Sequence, residues 1–402
     1  MTAPPPLIFN ILDLGTARTT LAQVRLEDGR IRCQGHVSLA TEGMRKGAVV
    51  SLEAVAMGIR SAALGLEQRT GTPVERVFLS LTGAQVRGLA SQAGIALTSR
   101  SREITREDAL HVLDLARAVA LPDDRQILHV LPQEFILDRQ GGIHEPVGML
   151  ASKLEAKVYA ITAVVGIKDN LVLAANRAGL EVEELIFAPL ADAEACLAAE
   201  DRFEGVAIVD AGAGSTTILA FTHGSIVHAA AVPIGGDHFT NDIAVGLATP
   251  HSEAERIKCE YGAATSDGTG ETSMIEVPGT SDRPARQVPL RALCDCIEPR
   301  ARELARLVQA ELAKAGALGA GIVLCGGAGR LPGFSDVLTA TTGCRVRSGV
   351  PTLIEGMPKE LAQPEYAFTA GACYYAHRML LRQQPPPNFW DKLRARWAAL
   401  AD

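Results

Sequence analysis

The chain has 402 residues, 47% hydrophobic and 21% charged, the balance of a globular protein long enough for two or three domains with sizeable cores. Its formal net charge of −7 argues against a general nucleic-acid binder, whose domain would be basic, so no nucleic-acid partner is expected. The eight cysteines include no CxxC pair, only the lone CxC of Cys294 and Cys296, and read as reduced core thiols of a cytosolic protein. The start, MTAPPPLIFN, does not read as a signal peptide, and no apolar run of about 18 residues predicts a membrane span.

In chain order, an apolar run from Leu7 to Leu12 ends in Asp13 and is followed by LGTARTTLAQV and a turn at Gly29. Helical spacing covers Leu52 to Thr70, and Val77 to Leu81 predicts a short strand. Between about Ala84 and Tyr159 the texture changes to that of a small inserted α+β domain. There Thr105 reads as an N-cap with Asp108 at N3, opening a helix that runs to Ala120. ILHVLPQEFILD reads as an extended segment broken by Pro132, and Leu154 to Thr162 as another strand. A helix over Gly166 to Ala178, a strand over Val182 to Phe187 and a helix opened by Pro189 lead to the central stretch.

That stretch, VAIVDAGAGSTTILAF over Val206 to Phe221, reads as a β-hairpin whose tip is small enough for a phosphate to touch backbone. Alone such a turn is weak evidence. It repeats the first hairpin, however: Asp13 aligns with Asp210, Gly15 with Gly212, Thr19 with Thr216, Thr20 with Thr217 and Leu21 with Ile218, each pair 197 positions apart. One long-period duplication predicts two similar domains. Two facing hairpins can clamp a polyphosphate, with Asp13 and Asp210 holding Mg²⁺ through water.

Beyond the hairpin, Gly235 and Gly236 turn the chain into a helix from about Asn241 to Leu247. Ser252 reads as the cap of SEAERIKCEYG, which places Glu255 and Lys258 one turn apart, either as a surface salt bridge or as a contact to a ribose or base. Residues 262 to 289 are loop-rich with a short hairpin. A long helix over Ile297 to Lys314 and a strand over Gly321 to Leu324 then meet a third glycine turn, in which Gly326, Gly327 and Gly329 let backbone approach a flat ring or phosphate.

Two Asp-x-Gly hairpins, a Glu-Arg-Ile-Lys helix and a Gly-Gly-x-x-x-Leu-Pro-Gly turn, in that order, resemble the actin/Hsp70/sugar-kinase ATPase superfamily. RKGAVVSLEAV, EITREDALHVLDLARAVALPDDRQILHVLPQEFILD, PIGGDHFTNDIAVGLATPHSEAERIKCEYG and GGAGRLPG narrow the resemblance to the bacterial cell-division FtsA family, over nearly the whole chain. The resemblance implies an α/β, actin-like two-lobed fold with duplicated ribonuclease-H-like domains, a small inserted α+β subdomain and a C-terminal amphipathic helix. Its implied boundaries are subdomain 1A over 1–83 and 163–190, the inserted 1C over 84–162, 2A over 191–235 and 301–363, and 2B over 236–300. A helix over 364–384 returns to 1A, and a linker over 385–388 precedes a membrane-targeting helix over 389–402. The family implies ATP and Mg²⁺ between the lobes and polymerisation on the cytoplasmic face of the inner membrane at the division site. It further implies capture of the FtsZ C-terminal peptide through 2B and contacts with other divisome membrane proteins. By position, Asp13, Gly15 and Thr16 form the first phosphate loop, and Asp210, Gly212, Gly214, Ser215 and Thr216 the second. Glu255 and Lys258 meet ribose and base, and Gly326, Gly327 and Gly329 surround the adenine.

The family's second loop usually reads DIGGGTTD, so Ala213 replaces a glycine and Thr217 an acidic residue, while Arg18 stands where Lys is usual. An Ala is strained there if φ is positive, and nothing supplies an obvious catalytic base, so nucleotide binding with weak or no ATPase activity is expected. In the tail, NFWDKLRARWAALAD follows Pro385, Pro386 and Pro387. On a helical wheel Phe389, Trp390, Leu393, Trp397 and Leu400 share an arc about 100° wide. Lys392, Arg394 and Arg396 flank it, in reach of an anionic lipid membrane. At about 18 Å this helix suits an interface rather than a span. A terminal helix packed on its own domain is the alternative, but tryptophans and flanking cations beyond a proline break favour the membrane. Two other functions share these motifs: a sugar- or acetate-type kinase, and a pilus-assembly-type actin homologue.

Overall fold

The computed structural model describes residues 7–83, 85–97, 101–266, 273–279 and 284–383. Two five-stranded sheets dominate. In the first, the strands run in the order Glu181–Phe187, Arg76–Leu81, Leu7–Leu14, Arg18–Glu27, Arg30–Ala40. In the second the order is Val346–Ser348, Gly321–Cys325, Val206–Ala211, Thr216–Thr222, Ser225–Val232. Each sheet is an antiparallel three-stranded meander extended by two parallel strands. The repeat holds residue by residue: Asp13 pairs with Thr20 and Asp210 with Thr217, in one register. The hairpin strands are nearly continuous apolar runs because helices cover both faces.

Between the sheets lies the Ala188–Cys196 helix, which touches strands of both lobes. Almost every residue of it is buried, the pattern of a helix enclosed all round. The Ala367–Gln383 helix packs along it so closely that a Cβ on Gly371 would collide with the Ala191 carbonyl. Only glycine fits there.

The insertion forms its own four-stranded antiparallel sheet, ordered Gln140–Ile143, Arg125–Leu137, Lys153–Val164, Arg87–Ala96, with the Arg106–Arg117 helix against it. The expected capping box is present: the Asp108 amide donates to Thr105 Oγ1 at 3.2 Å and the Thr105 amide to Asp108 Oδ2 at 2.9 Å. The helix ends at Arg117, three residues before the expected Ala120. Pro132 does not break its strand. The partner strand pairs Val158 with Pro132 and Lys157 with Glu134, so Gln133 is bulged out and the missing proline N–H costs no ladder bond. The bulge aims Gln133 at the second lobe, where Nε2 donates to the Ile226 carbonyl at 2.5 Å and the Gln133 carbonyl accepts from Ser225 Oγ at 2.9 Å.

Three helix starts differ from expectation. The helix expected from Asn241 begins at Gly236, because Gly235 takes the N-cap position. The helix expected after Ser252 begins at His251 behind Pro250, with no side-chain cap. The helix expected from Ile297 begins at Leu290 and takes Pro299 inside it. Its apolar stripe, running from Leu293 through Ile297 and Ala301 to Leu312, is buried throughout, and that packing outweighs the proline. The expected short hairpin is present as Met274–Val277 paired with Arg286–Pro289.

Candidate functional site

Both hairpin tips open into one cleft of about 550 Å³ between the lobes. Asp13, Gly15 and Thr16 line it from the first lobe; Asp210, Gly212, Gly214, Ser215, Gly236, Glu255, Lys258, Gly326 and Gly327 line it from the second. Twelve of the fifteen binding residues read from the sequence therefore meet in one place. The other three do not line it. Thr216 is fully buried and donates Oγ1 to the Ile234 carbonyl at 2.8 Å. Gly235 supports the second loop from behind, where a Cβ would meet the carbonyls of Gly212 and Ala213 at 2.5 Å. Gly329 packs on Leu324, within 2.9 Å of a Cβ.

The tips share one internal closure. The Gly15 amide donates to the Arg18 carbonyl at 2.9 Å, and the Gly212 amide to the Ser215 carbonyl at 3.0 Å. The Gly236 amide is likewise spent on the Gly212 carbonyl at 2.9 Å. These glycines shape the loops, and the donors left for an anion are the amides of Thr16, Ala17, Ala213 and Gly214, which have no partner among the described hydrogen bonds. Ala213 is not among the residues of positive φ, so its methyl is accommodated without strain. Gly214 is required for a different reason: its Cβ would lie 2.6 Å from Thr16 Oγ1 and 2.7 Å from Lys46 Cα, across the cleft. The two loops touch.

At the cleft floor, burial pushes the Asp13 carboxyl up to about 7; a hydrogen bond from Ser80 opposes this and the Asp210 charge adds to it. Burial raises Asp210 to about 6, against the pull of the Thr217 hydroxyl, whose Oγ1 lies 3.4 Å from Oδ2. A third carboxyl, Asp192, lines the same floor from the Ala188–Cys196 helix and is held well above the ordinary range by burial, then by Asp210, Cys196 and Asp13. Sequence reading passed over Asp192. Its one signal was an acid in the mostly small and apolar APLADAEAC, which it shares with Glu194.

Lys258 and Glu255 pair at the cleft wall, the lysine buried and the Glu255 side chain 46% exposed. The Lys258 side chain is 12% exposed, with Nζ 2.6 Å from Glu255 Oε2, 2.9 Å from Thr240 Oγ1 and 3.2 Å from the Gly236 carbonyl. Burial alone would raise Glu255, but the Lys258 charge and the hydrogen bonds it receives outweigh this and hold it below the ordinary range. The third glycine turn is tied to the chain before the last helix. The Gly326 amide donates to the Pro364 carbonyl at 2.9 Å, and Arg330 Nη1 pairs with Glu365 Oε1 at 2.5 Å. Next along, the Tyr366 hydroxyl accepts from Arg18 Nη1 at 2.6 Å, with the guanidinium 5.7 Å from its ring. Arg18, Thr20, Thr82, Phe239, Arg330, Glu365 and Phe368 are among the other residues that line the cleft.

Two family models match: Cell division protein FtsA over residues 207–371, and the SHS2 domain inserted in FTSA over residues 83–162. The chain is 38% identical to the cell division protein FtsA of Pseudomonas aeruginosa over 368 residues, covering 90% of this chain and 88% of that protein. The chain belongs to the FtsA family of cell division proteins. Its likeness to the FtsA of Escherichia coli is 35% identity over 375 residues, covering 90% of this chain and 89% of the other. Solved structures share the actin-like fold. The PilM–PilN type IV pilus biogenesis complex gives a TM-score of 0.65 at 18% identity, over 93% of this chain and 99% of its own. MreB5 of Spiroplasma citri bound to ADP gives 0.55 at 12% identity, over 95% and 100%. The FtsA-family assignment thus carries a cell-division role, and the solved structures carry the actin-like fold.

The residues present fit ATP with Mg²⁺. Free loop amides face the floor from both lobes, and two crowded carboxylates there would be relieved by a divalent cation. Among the described residues no three acidic, histidine or cysteine groups stand close enough to ligate a metal directly, so a magnesium ion held there would have to keep several of its waters.

Proposed function

We propose that this FtsA-family protein binds ATP with Mg²⁺ in the interlobe cleft and uses the bound state to set a filament on the cytoplasmic face of the inner membrane, at the division site. The observation that carries the reading is the pair of phosphate-type hairpins, matched in register and closure and in contact across one cleft. Asp13 and Asp210 would hold the hydrated ion. The open amides of the two tips would hold phosphate oxygens, Glu255 and Lys258 the ribose and base, and Gly326 and Gly327 the flat ring. A cation there would neutralise phosphate charge; the chain's own part is to bind and orient, and turnover is expected to be slow or negligible.

Subdomain 2B, over 236–300, would take the FtsZ C-terminal peptide, and other divisome membrane proteins would join the assembly. The amphipathic arc of Phe389, Trp390, Leu393, Trp397 and Leu400, with Lys392, Arg394 and Arg396, lies outside the described residues. No helix among the described residues is long and apolar enough to cross a membrane. Burying five large apolar side chains binds one copy weakly once ordering of the tail is subtracted, and a filament supplies avidity. The test is co-sedimentation with anionic liposomes and ATP, with and without the FtsZ C-terminal peptide. The full chain should pellet and retain the peptide, while a chain lacking 388–402 should stay in solution. Undiminished pelleting of the truncated chain would refute the membrane reading.

A further inference from the structure

We propose that Asp192 is a cation-positioning residue, the third carboxylate that, with Asp13 and Asp210, holds a hydrated divalent cation at the phosphate end of the cleft. This deepens the nucleotide-site reading and rests on it. Asp192 is 1% exposed, and its Oδ2 has no hydrogen-bond partner among the described residues. It nevertheless lines the cleft, one helical turn after Ala188, on the same floor as Asp13 and Asp210. Among the described residues no lysine, arginine or histidine pairs with any of these three carboxylates.

A buried acid with an empty oxygen costs several kcal/mol unless something charged or hydrogen-bonding meets it. Among the described residues nothing hydrogen-bonds to Oδ2. The three acids also arrive on three separate elements: Asp13 at the end of a first-lobe strand, Asp210 at the end of a second-lobe strand, and Asp192 on the helix between the lobes. A cation shared by all three would bind through water, since direct ligation is not available to them, and Mg²⁺ or Mn²⁺ with retained waters has that habit. Because the helix touches both sheets, such an ion would be sensed by the element on which the lobes meet.

The experiment uses the full chain with Mn²⁺ and Mg²⁺ as probes and ADP as nucleotide. Mn²⁺ affinity is read by electron paramagnetic resonance, ADP affinity by calorimetry in Mg²⁺ and in EDTA, and stability by thermal melting in EDTA. Asp192→Asn should weaken Mn²⁺ binding to the ADP-loaded protein about tenfold, the order expected for one charge removed at close range in a partly buried site. In EDTA it should not weaken ADP binding, because a negative charge beside the phosphates is removed, and it should raise the melting temperature. Asp192→Leu should act alike, with larger loss of Mn²⁺. Mn²⁺ affinity within twofold of wild type in either folded variant would overturn the proposal. If neither variant folds, saturable stabilisation of the wild type by Mn²⁺ without nucleotide supports it and the lack of such stabilisation overturns it. A wild type that binds Mn²⁺ but no nucleotide would refute the nucleotide reading and leave the three-acid site standing.

Discussion

Gly214 sets how closely the two lobes can approach. Replacing it by alanine puts a Cβ 2.6 Å from Thr16 Oγ1 and 2.7 Å from Lys46 Cα. Ordinary carbon contacts begin at about 3.4 Å, and Lys46 Cα is backbone, so the loops must part by about 0.7 Å. Lys46 has a left-handed φ of 52°, which leaves it little freedom to move aside. A phosphate held by both tips would then keep its hydrogen bonds to one and see those to the other stretched from about 2.9 to about 3.6 Å, beyond useful length. Losing one or two bonds to a charged group costs about 1.5–3 kcal/mol, which is about 10- to 100-fold in affinity. Calorimetric titration of Gly214→Ala with ATP and Mg²⁺ should show that loss with the melting temperature held. Gly58→Ala is the control, because nothing lies within 4 Å of its added Cβ. Gly214→Ala binding within twofold of wild type would refute the idea that the touching loops close on the phosphates.

Gly58→Ala, in a helix interior, should itself stabilise the protein by about 0.5–1 kcal/mol in urea titration; destabilisation would mean that the open space there is not real. Lys258→Ala strands Glu255 in the cleft and should weaken ATP binding about tenfold or more, with Lys258→Arg failing to restore the compact contacts to Thr240 and the Gly236 carbonyl. Tyr159→Phe removes the hydroxyl that accepts from the buried Ala229 amide at 2.8 Å. The orphaned donor should cost about 1–3 kcal/mol in chemical denaturation, and no change would disprove this tie between the insertion and the second lobe.

His129 is buried and neutral, its Nε2 accepting from the Phe187 amide at 3.0 Å, and burial lowers it from 6.5 to about 4. Its contribution is full above the unfolded value of 6.5 and is lost as pH falls towards 4, about 3 kcal/mol in all. Asp13 and Asp210 act with the opposite sign: their folded values of about 7 and about 6 exceed the unfolded 3.8, so their contribution is present below 3.8 and lost as pH rises through 6 to 7. The histidine effect is therefore read as the wild-type minus His129→Gln difference in unfolding free energy between pH 7 and pH 4.5. A difference that does not shrink towards acid would contradict it.

The sequence by itself determined the duplication, the two hairpins, the insertion and most of the cleft. Those features are local or periodic: an apolar run ending in Asp, a small-residue turn, a fixed offset between Asp13 and Asp210, a capping box at Thr105 and Asp108. Tertiary structure decided what depends on approach between distant segments. Which loop amides stay open was decided by the closures at Gly15 and Gly212, and the need for glycine at 214 by a contact with Thr16 and Lys46. Thr216, Gly235 and Gly329 sit in the same motifs as true lining residues, and only packing turned them away from the cleft. Asp192 was out of reach for the same reason: its helix carries two acids, Asp192 and Glu194, with nothing local to tell them apart, and Asp192 acquires meaning only when two lobes bring Asp13 and Asp210 to its side. A local pattern specifies an element through backbone geometry and burial, whereas a site is an agreement among elements far apart in the chain, and no single stretch carries it.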